Sequence, residues 1–200
     1  MNIQDVIKAL ESKGYDVSYF ETIEEAADYL DAKVDNELVG FGDSETLNSL
    51  KLFERLSAHN EVWDPQHRPD GMTFNEVGKK VLVTDIYFTS VNGMTETGEL
   101  INIDSTGNRI GASFFGHDRV YFVVGTNKIV PTVEDAIWRT RNVAAPQNCV
   151  RKGYKTPCAT TGKCHDCKSP DRICRALTVH YMKMKHTPME VVLINEELGL

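Results

Sequence analysis

Four cysteines stand between Thr156 and Cys174 in the stretch T-P-C-A-T-T-G-K-C-H-D-C-K-S-P-D-R-I-C. Cysteine is ordinarily a buried apolar residue, so four of them among Lys, Asp, Ser and Thr are not explained by core packing. Cys158, Cys164, Cys167 and Cys174 follow the pattern C-x5-C-x2-C-x6-C. The tight Cys164 and Cys167 pair can clasp a metal while the outer two close its coordination sphere. Thiolates suit zinc and equally suit an iron-sulfur cluster. The spacing is neither the bacterial ferredoxin run nor a standard zinc ribbon, so both metals stay open, and His165 adds a possible nitrogen donor. Redox-active or disulfide-forming thiols and plain free cysteines are the competing readings; Lys163 and Lys168 would lower the thiol pKa and raise reactivity. Cys149, upstream in P-Q-N-C, reads as an ordinary small side chain.

Four further stretches carry polar groups and glycines directly after expected strands. Gly40, Gly42, Asp43, Ser44, Glu45 and Thr46 can offer backbone N–H groups and hydroxyls to a phosphate; the plainer reading is a Ser44 N-cap after a tight turn. N-G-M-T-E-T-G-E-L carries Glu96 ahead of Gly98, a candidate nucleophile or general base if desolvated, or else a solvated acid on a hairpin. D-S-T-G-N-R-I-G joins Asp104, Gly107, Asn108 and Arg109 in a turn into a helix, where the Arg109 guanidinium can fork onto a phosphate or carboxylate. V-G-T-N-K-I-V places Gly125, Asn127 and Lys128 after an apolar strand. Four such turns argue for one shared anion-binding pocket. His117, in F-F-G-H-D, reads as a hydrogen-bonded structural imidazole.

The elements that must position these loops can be read from periodicity. Ile3, Val6, Ile7 and Leu10 sit at helical spacing among charges, Tyr15 to Phe20 alternates as a strand, and Thr22 opens a capped helix with a carboxylate three residues on. Strands are expected at Glu37 to Phe41, Glu61 to Trp63, within the β-branched stretch Val81 to Ser90, at Arg119 to Val124 and at Glu190 to Ile194. Helices are expected after Ser44, at Thr73 to Lys79, over V-E-D-A-I-W-R-T-R and near Arg175 to Lys185. Alternation of this kind predicts an α/β layer structure with a mostly parallel sheet, whose ligand sites gather at the carboxyl ends of the strands.

Composition narrows the function classes. The chain has 200 residues, is 41% hydrophobic and carries a formal net charge of −7. That content suffices for a packed core, and the acidic balance argues against a nucleic-acid partner. The amphipathic start is not a signal peptide and no segment is apolar enough to span a bilayer, so a cytoplasmic protein without a membrane partner is expected. In that compartment clustered cysteines are more often ligands or redox thiols than structural disulfides.

Together G-F-G-D-S-E-T-L, T-E-T-G-E-L-I-N-I-D, G-N-R-I, V-V-G-T-N-K-I-V, the A-I-W-R-T-R helix with A-A-P-Q-N after it, the cysteine loop and E-E-L-G resemble the LUD domain family, named for lactate utilisation. The resemblance runs over almost the whole chain. It implies one α/β domain over residues 1–200, similar to the ribose-phosphate isomerase and CoA-transferase-like superfamily (NagB/RpiA/CoA transferase-like), with 146–175 a cysteine-rich metal-binding loop within it. It further implies a small anionic, phosphorylated or nucleotide-like ligand held at the family's loop motifs, which fall here on Gly42, Ser44, Thr46, Glu96, Gly98, Asn108, Arg109, Asn127 and Lys128. The implied setting is lactate or related organic-acid metabolism, as an accessory or electron-transfer component beside iron-sulfur or oxidoreductase partners. The expected cofactor is an iron-sulfur cluster or zinc on Cys158, Cys164, Cys167 and Cys174. The chain lacks the ferredoxin-type cysteine runs of the longer iron-sulfur member and resembles short LUD proteins with their own C-terminal cysteine loop. The alternative is a transferase or isomerase acting on a CoA-linked or phosphorylated small molecule, with Glu96 as catalytic carboxylate. A ligand sensor or scaffold without chemistry is the third reading.

Overall fold

The computed structural model describes residues 1–200. The elements in chain order are α1 (Ile3–Ser12), β1 (Asp16–Phe20), α2 (Ile23–Lys33), β2 (Leu38–Phe41), α3 (Glu45–Ser49), α4 (Leu52–Leu56), β3 (Glu61–Trp63), α5 (Phe74–Val81), β4 (Ile86–Thr89), β5 (Gly93–Thr95), β6 (Leu100–Asp104), α6 (Asn108–Ala112), β7 (Arg119–Gly125), β8 (Ile129–Val130), α7 (Val133–Arg139), α8 (Ala145–Arg151), α9 (Pro157–Thr161), β9 (Ala176–His180) and β10 (Met189–Ile194). A 3₁₀ turn covers Thr126–Lys128 and a π turn covers Thr140–Ala144.

Six strands form a wholly parallel sheet in the order β1-β10-β7-β4-β2-β3. Its central strands are buried along nearly their whole length and mostly apolar, because helices or a second sheet cover both faces. Alternation along them sorts side chains into two cores. Tyr121, Val123, Val192 and Ile194 meet Ala26, Leu30, Leu47, Leu52 and Leu56 from α2, α3 and α4 on one face. Val120, Phe122, Val124, Val191 and Leu193 meet Val6, Leu10, Val81, Met94 and Leu100 on the other. Local signals open the helices: Thr22 and Thr73 both form N-terminal capping boxes, with Glu25 and Glu76 reaching back to the cap N–H.

The second sheet, β8-β5-β6-β9, is mixed, with β6 antiparallel to both β5 and β9. One sequence expectation is corrected here and another is narrowed. The segment near Arg175 to Lys185 is not a helix: Ala176–His180 is a strand whose residues pair antiparallel with Leu100–Asp104. The driving contact is remote in sequence, since His180 is fully buried and stacks on Phe114 at 4.2 Å between ring centroids. In Val81 to Ser90, Val81 ends α5 and only Ile86–Thr89 is strand.

The chain from Val133 to Arg151 is one helical rod with a π turn inside it. Pro146 follows that turn, and having no N–H it cannot donate to the carbonyl four residues back, so the wide turn falls where the regular ladder is already broken. The cysteine segment leaves the end of this rod, forms the short α9, and is tied back into the fold where β9 joins β6. Arg175 N donates to Asp104 O at 2.9 Å at that junction.

Candidate functional site

At the carboxyl ends of the adjacent strands β2, β4 and β7 lies a cavity of about 280 Å³. Ser44, Thr46, Asn108, Arg109 and Lys128 all line it, so five residues drawn from three separate sequence loops share one site. Ser90, Asp104, Asn148, Arg151, Lys152 and Tyr154 are among the other polar groups of its wall. Arg151 and Lys152 come from the end of α8 and its cap, far along the chain from the glycine turns.

Lys128 is the most unusual group there. It is only 2% exposed, and its Nζ donates to Thr46 Oγ1 at 2.8 Å and to Ser90 Oγ at 3.0 Å, with no carboxylate in ion-pair reach. Burial, reinforced by the nearby Arg139 and Arg109 charges, lowers its amine to about 7. A buried cationic amine ringed by hydroxyls and lacking an anion has the electrostatics of a site for a negatively charged group.

Arg109 lines the cavity and also holds its walls together. Nη1 donates to Asn102 Oδ1 at 2.6 Å and Ser90 O at 3.3 Å, and Nη2 donates to Asn92 Oδ1 at 2.9 Å and Ile103 O at 2.7 Å. Its N–H fork is thereby committed to clamping the segment after β4 onto β6. Asp104 in turn caps the α6 turn, accepting from the backbone N–H groups of Thr106, Gly107 and Ile110. The mouth is laced by ion pairs: Lys152 to Asp43 at 2.5 Å, and Arg151 to Glu45 at 2.5 Å. Asp43 and Glu45 are thus paired with basic groups from the end of α8 and its cap.

The remaining candidates take supporting places. Gly42 is a close-approach glycine, since a Cβ there would collide with the Tyr87 hydroxyl and press on Arg109 Cγ. Ser44 caps α3, accepting from Leu47 N at 3.4 Å. Asn127 accepts from Leu198 N at 3.2 Å and does not line the cavity. Gly98 has φ +90° at the β5–β6 turn, packed against α1. Glu96 is half-buried on that turn, outside the cavity wall, with its backbone N–H donating to Val130 O at 2.8 Å. The acid that the flanking threonines hold is Glu99: it accepts from Thr97 Oγ1 at 2.6 Å, from Thr95 Oγ1, and from Lys13 Nζ at 2.8 Å. Partial burial opposes the charge, but these donors win and bring its carboxyl down to about 2. His117 is a buried imidazole whose Nδ1 bonds Thr84 O at 2.6 Å, as a structural histidine does.

The cysteines gather beside this cavity. Cys158, Cys164, Cys167, Cys174 and also Cys149 all line one narrow, apolar cavity, together with His165, Asp166, Arg141 and Arg172. Arg172 shapes the loop by donating to the carbonyls of Cys167 (2.7 Å) and Cys174 (2.9 Å). The π turn fastens its other side: Asn142 Oδ1 accepts from Cys164 N at 3.1 Å, and Arg141 Nη2 lies 3.5 Å from Cys164 Sγ. All five cysteines are free thiols, and no three Cys, His, Asp or Glu side chains are arranged to hold a single ion. Ala145 and Ile173 line both cavities, so one layer of apolar side chains separates the thiols from Lys128's pocket.

No helix is long and apolar enough to cross a membrane. No curated protein matches the sequence. A crystal structure of a DUF162 family protein from Deinococcus radiodurans is similar in fold, with a TM-score of 0.55 and 14% identity over 96% of this chain and 95% of that one. The LUD domain family model matches residues 3–194. With a match that spans both cores, both sheets and the cysteine segment, the chain belongs to the LUD domain family.

Proposed function

We propose that this LUD-domain protein serves lactate or related organic-acid metabolism as an accessory or electron-transfer component. It binds a small anionic ligand in the strand-end cavity and a metal centre, iron-sulfur or zinc, at the cysteine loop. Membership of the family supports the lactate-related setting. The observation that carries the rest is the shared wall: Ala145 and Ile173 divide a pocket built around a buried lysine from a cavity lined by thiols.

The chain's own groups divide the work. Lys128, Thr46 and Ser90 hold one oxyanion, and Arg151 and Lys152 exchange their Asp43 and Glu45 partners for a second negative group at the mouth. A CoA-linked or phosphorylated molecule would present such a pair of charges, as the ligands of the ribose-phosphate isomerase and CoA-transferase-like superfamily do. On the other side of the partition, sulfur donors fit zinc or an iron-sulfur cluster by ligand type. N–H donors of Arg141 and Asp166 approach Cys164 Sγ at 3.5 and 3.4 Å. A cluster supplies one-electron chemistry when bound; zinc supplies a staple for the loop. Catalysis by Glu96 gains no support from its place on the β5–β6 turn.

Anaerobic purification followed by iron, sulfide and zinc analysis, with a visible absorption spectrum, tests the metal assignment. Iron and sulfide with charge-transfer absorption support electron transfer, zinc near one equivalent supports a staple, and neither metal refutes the centre. Titration with lactate, phosphate and coenzyme A tests the pocket, with Lys128→Met expected to weaken the binding anion at least about tenfold.

A further inference from the structure

Cys149 stands apart from the loop in sequence, and its setting in P-Q-N-C gives it the look of a core residue. In the fold it is 1% exposed on α8, in a small core with Ile103, Ala145 and Ile173. Apolar filling accounts for its burial but not for its neighbours. Cys158 and Cys174 pack directly against this core, and the Cys149 side chain lines the same cavity as all four loop cysteines. Cys164 and Cys167 come from the outer turn of the loop, where Cys164 already takes Arg141 and Asp166 as N–H donors. Cys149, Cys158 and Cys174 therefore meet at one small core, with Cys149 carried on α8, the last part of the helical rod, and Cys158 on the five-residue α9.

We infer that Cys149 is a ligand of the thiophilic metal centre, its inner thiolate and the point at which that centre is anchored to α8. The inference rests on the metal centre proposed above and deepens it. A tetrahedral zinc or a four-iron cluster takes four protein thiolates, so one of the five thiols is spare, and Cys149 is not that one. Each ligating thiol gives its proton to solvent as the sulfur–metal bond forms. A helix-borne ligand gives the centre a fixed side, because α8 is held by the cavity walls and by the π turn, while the loop supplies the adjustable side.

The test uses the full chain, anaerobic, in two loadings: zinc alone, and ferrous iron with sulfide. Wild type, Cys149→Ser and Cys149→Ala are compared for metal retained against a competing chelator, with cobalt(II) as the spectroscopic stand-in for zinc and electron paramagnetic resonance for the reduced cluster. Circular dichroism of the metal-free forms checks folding, and Cys149→Ser, nearly equal in volume, decides the matter if the alanine variant does not fold. The expected result is metal retention at least about tenfold weaker in both variants, with a shifted spectrum for whatever the serine form holds. Wild-type retention and unchanged spectra in both variants would make Cys149 a packing residue and overturn this inference while leaving the centre intact. If wild type takes up metal in neither loading, the centre itself fails and this inference falls with it.

Discussion

Lys128 Nζ and Thr46 Oγ1, 82 positions apart in the chain, lie 2.8 Å from each other inside the strand-end cavity. In the unfolded chain the lysine titrates near about 10.4, whereas burial brings it to about 7 in the fold. Between those values the unfolded chain binds a proton that the folded chain does not, so this group lowers stability as pH falls across that window. Lys128→Met removes the effect, and Thr46 and Ser90 keep their own 3.2 Å hydrogen bond. In urea denaturation, the variant is expected to gain on wild type by a few kcal/mol between about pH 9 and about pH 6. A constant difference between the two proteins over that range would contradict the buried, unpaired amine.

Arg109 is expected to behave as a clamp. Arg109→Lys keeps the charge but cannot reach the side-chain and carbonyl acceptors of Ser90, Asn92, Asn102 and Ile103 together, and leaving buried acceptors unpaired costs about 1–3 kcal/mol each. A fall in the urea midpoint worth at least about 2 kcal/mol is the expected outcome. Full stability combined with lost anion binding would instead return Arg109 to the role of a ligand contact.

Glu96 and Glu99 are told apart by substitution. Glu99 has its carboxyl lowered to about 2, so the stability it contributes is present above about 4.3 and is lost as pH falls through about 2. Glu99→Gln should be less stable than wild type at neutral pH, with the gap closing in strong acid. Glu96→Gln, at a residue outside the cavity wall, should match wild type in stability at neutral pH. Acid titrations of the three proteins by circular dichroism decide this.

Gly42 tests how tightly the pocket floor is built. A methyl group there meets the Tyr87 hydroxyl and the Arg109 side chain, so Gly42→Ala forces one of them aside. Overpacking of this kind costs about 1–3 kcal/mol. A variant as stable as wild type would mean that Tyr87 can swing away.

Much of this was written in local patterns. The two capping boxes, the apolar runs at β7 and β10 and the polar turns after β2, β6 and β7 each follow from neighbours within a few residues. Those turns place Ser44, Thr46, Asn108, Arg109 and Lys128 on one wall. What was not legible depends on remote contacts. Strand β9 reads as a helix until its pairing with β6 is known, and Arg109 looks like a free fork until Asn92 and Asn102 are seen to fill it. Glu96 drew attention because two threonines flank it, yet their hydroxyls turn to Glu99. Arg151 and Lys152 carry no local mark of a site, because only the path of the helical rod brings them to Asp43 and Glu45.

Asn148 faces the larger cavity and Cys149, the next residue, faces the smaller one. Successive residues on an α-helix point about 100° apart, so α8 works as a two-sided key whose angular phase must be right to within a fraction of a turn. The widened turn at Thr140–Ala144 is the gear that sets this phase. Removing a single residue from it would twist amide and thiol together out of their respective chambers, leaving both sheets untouched.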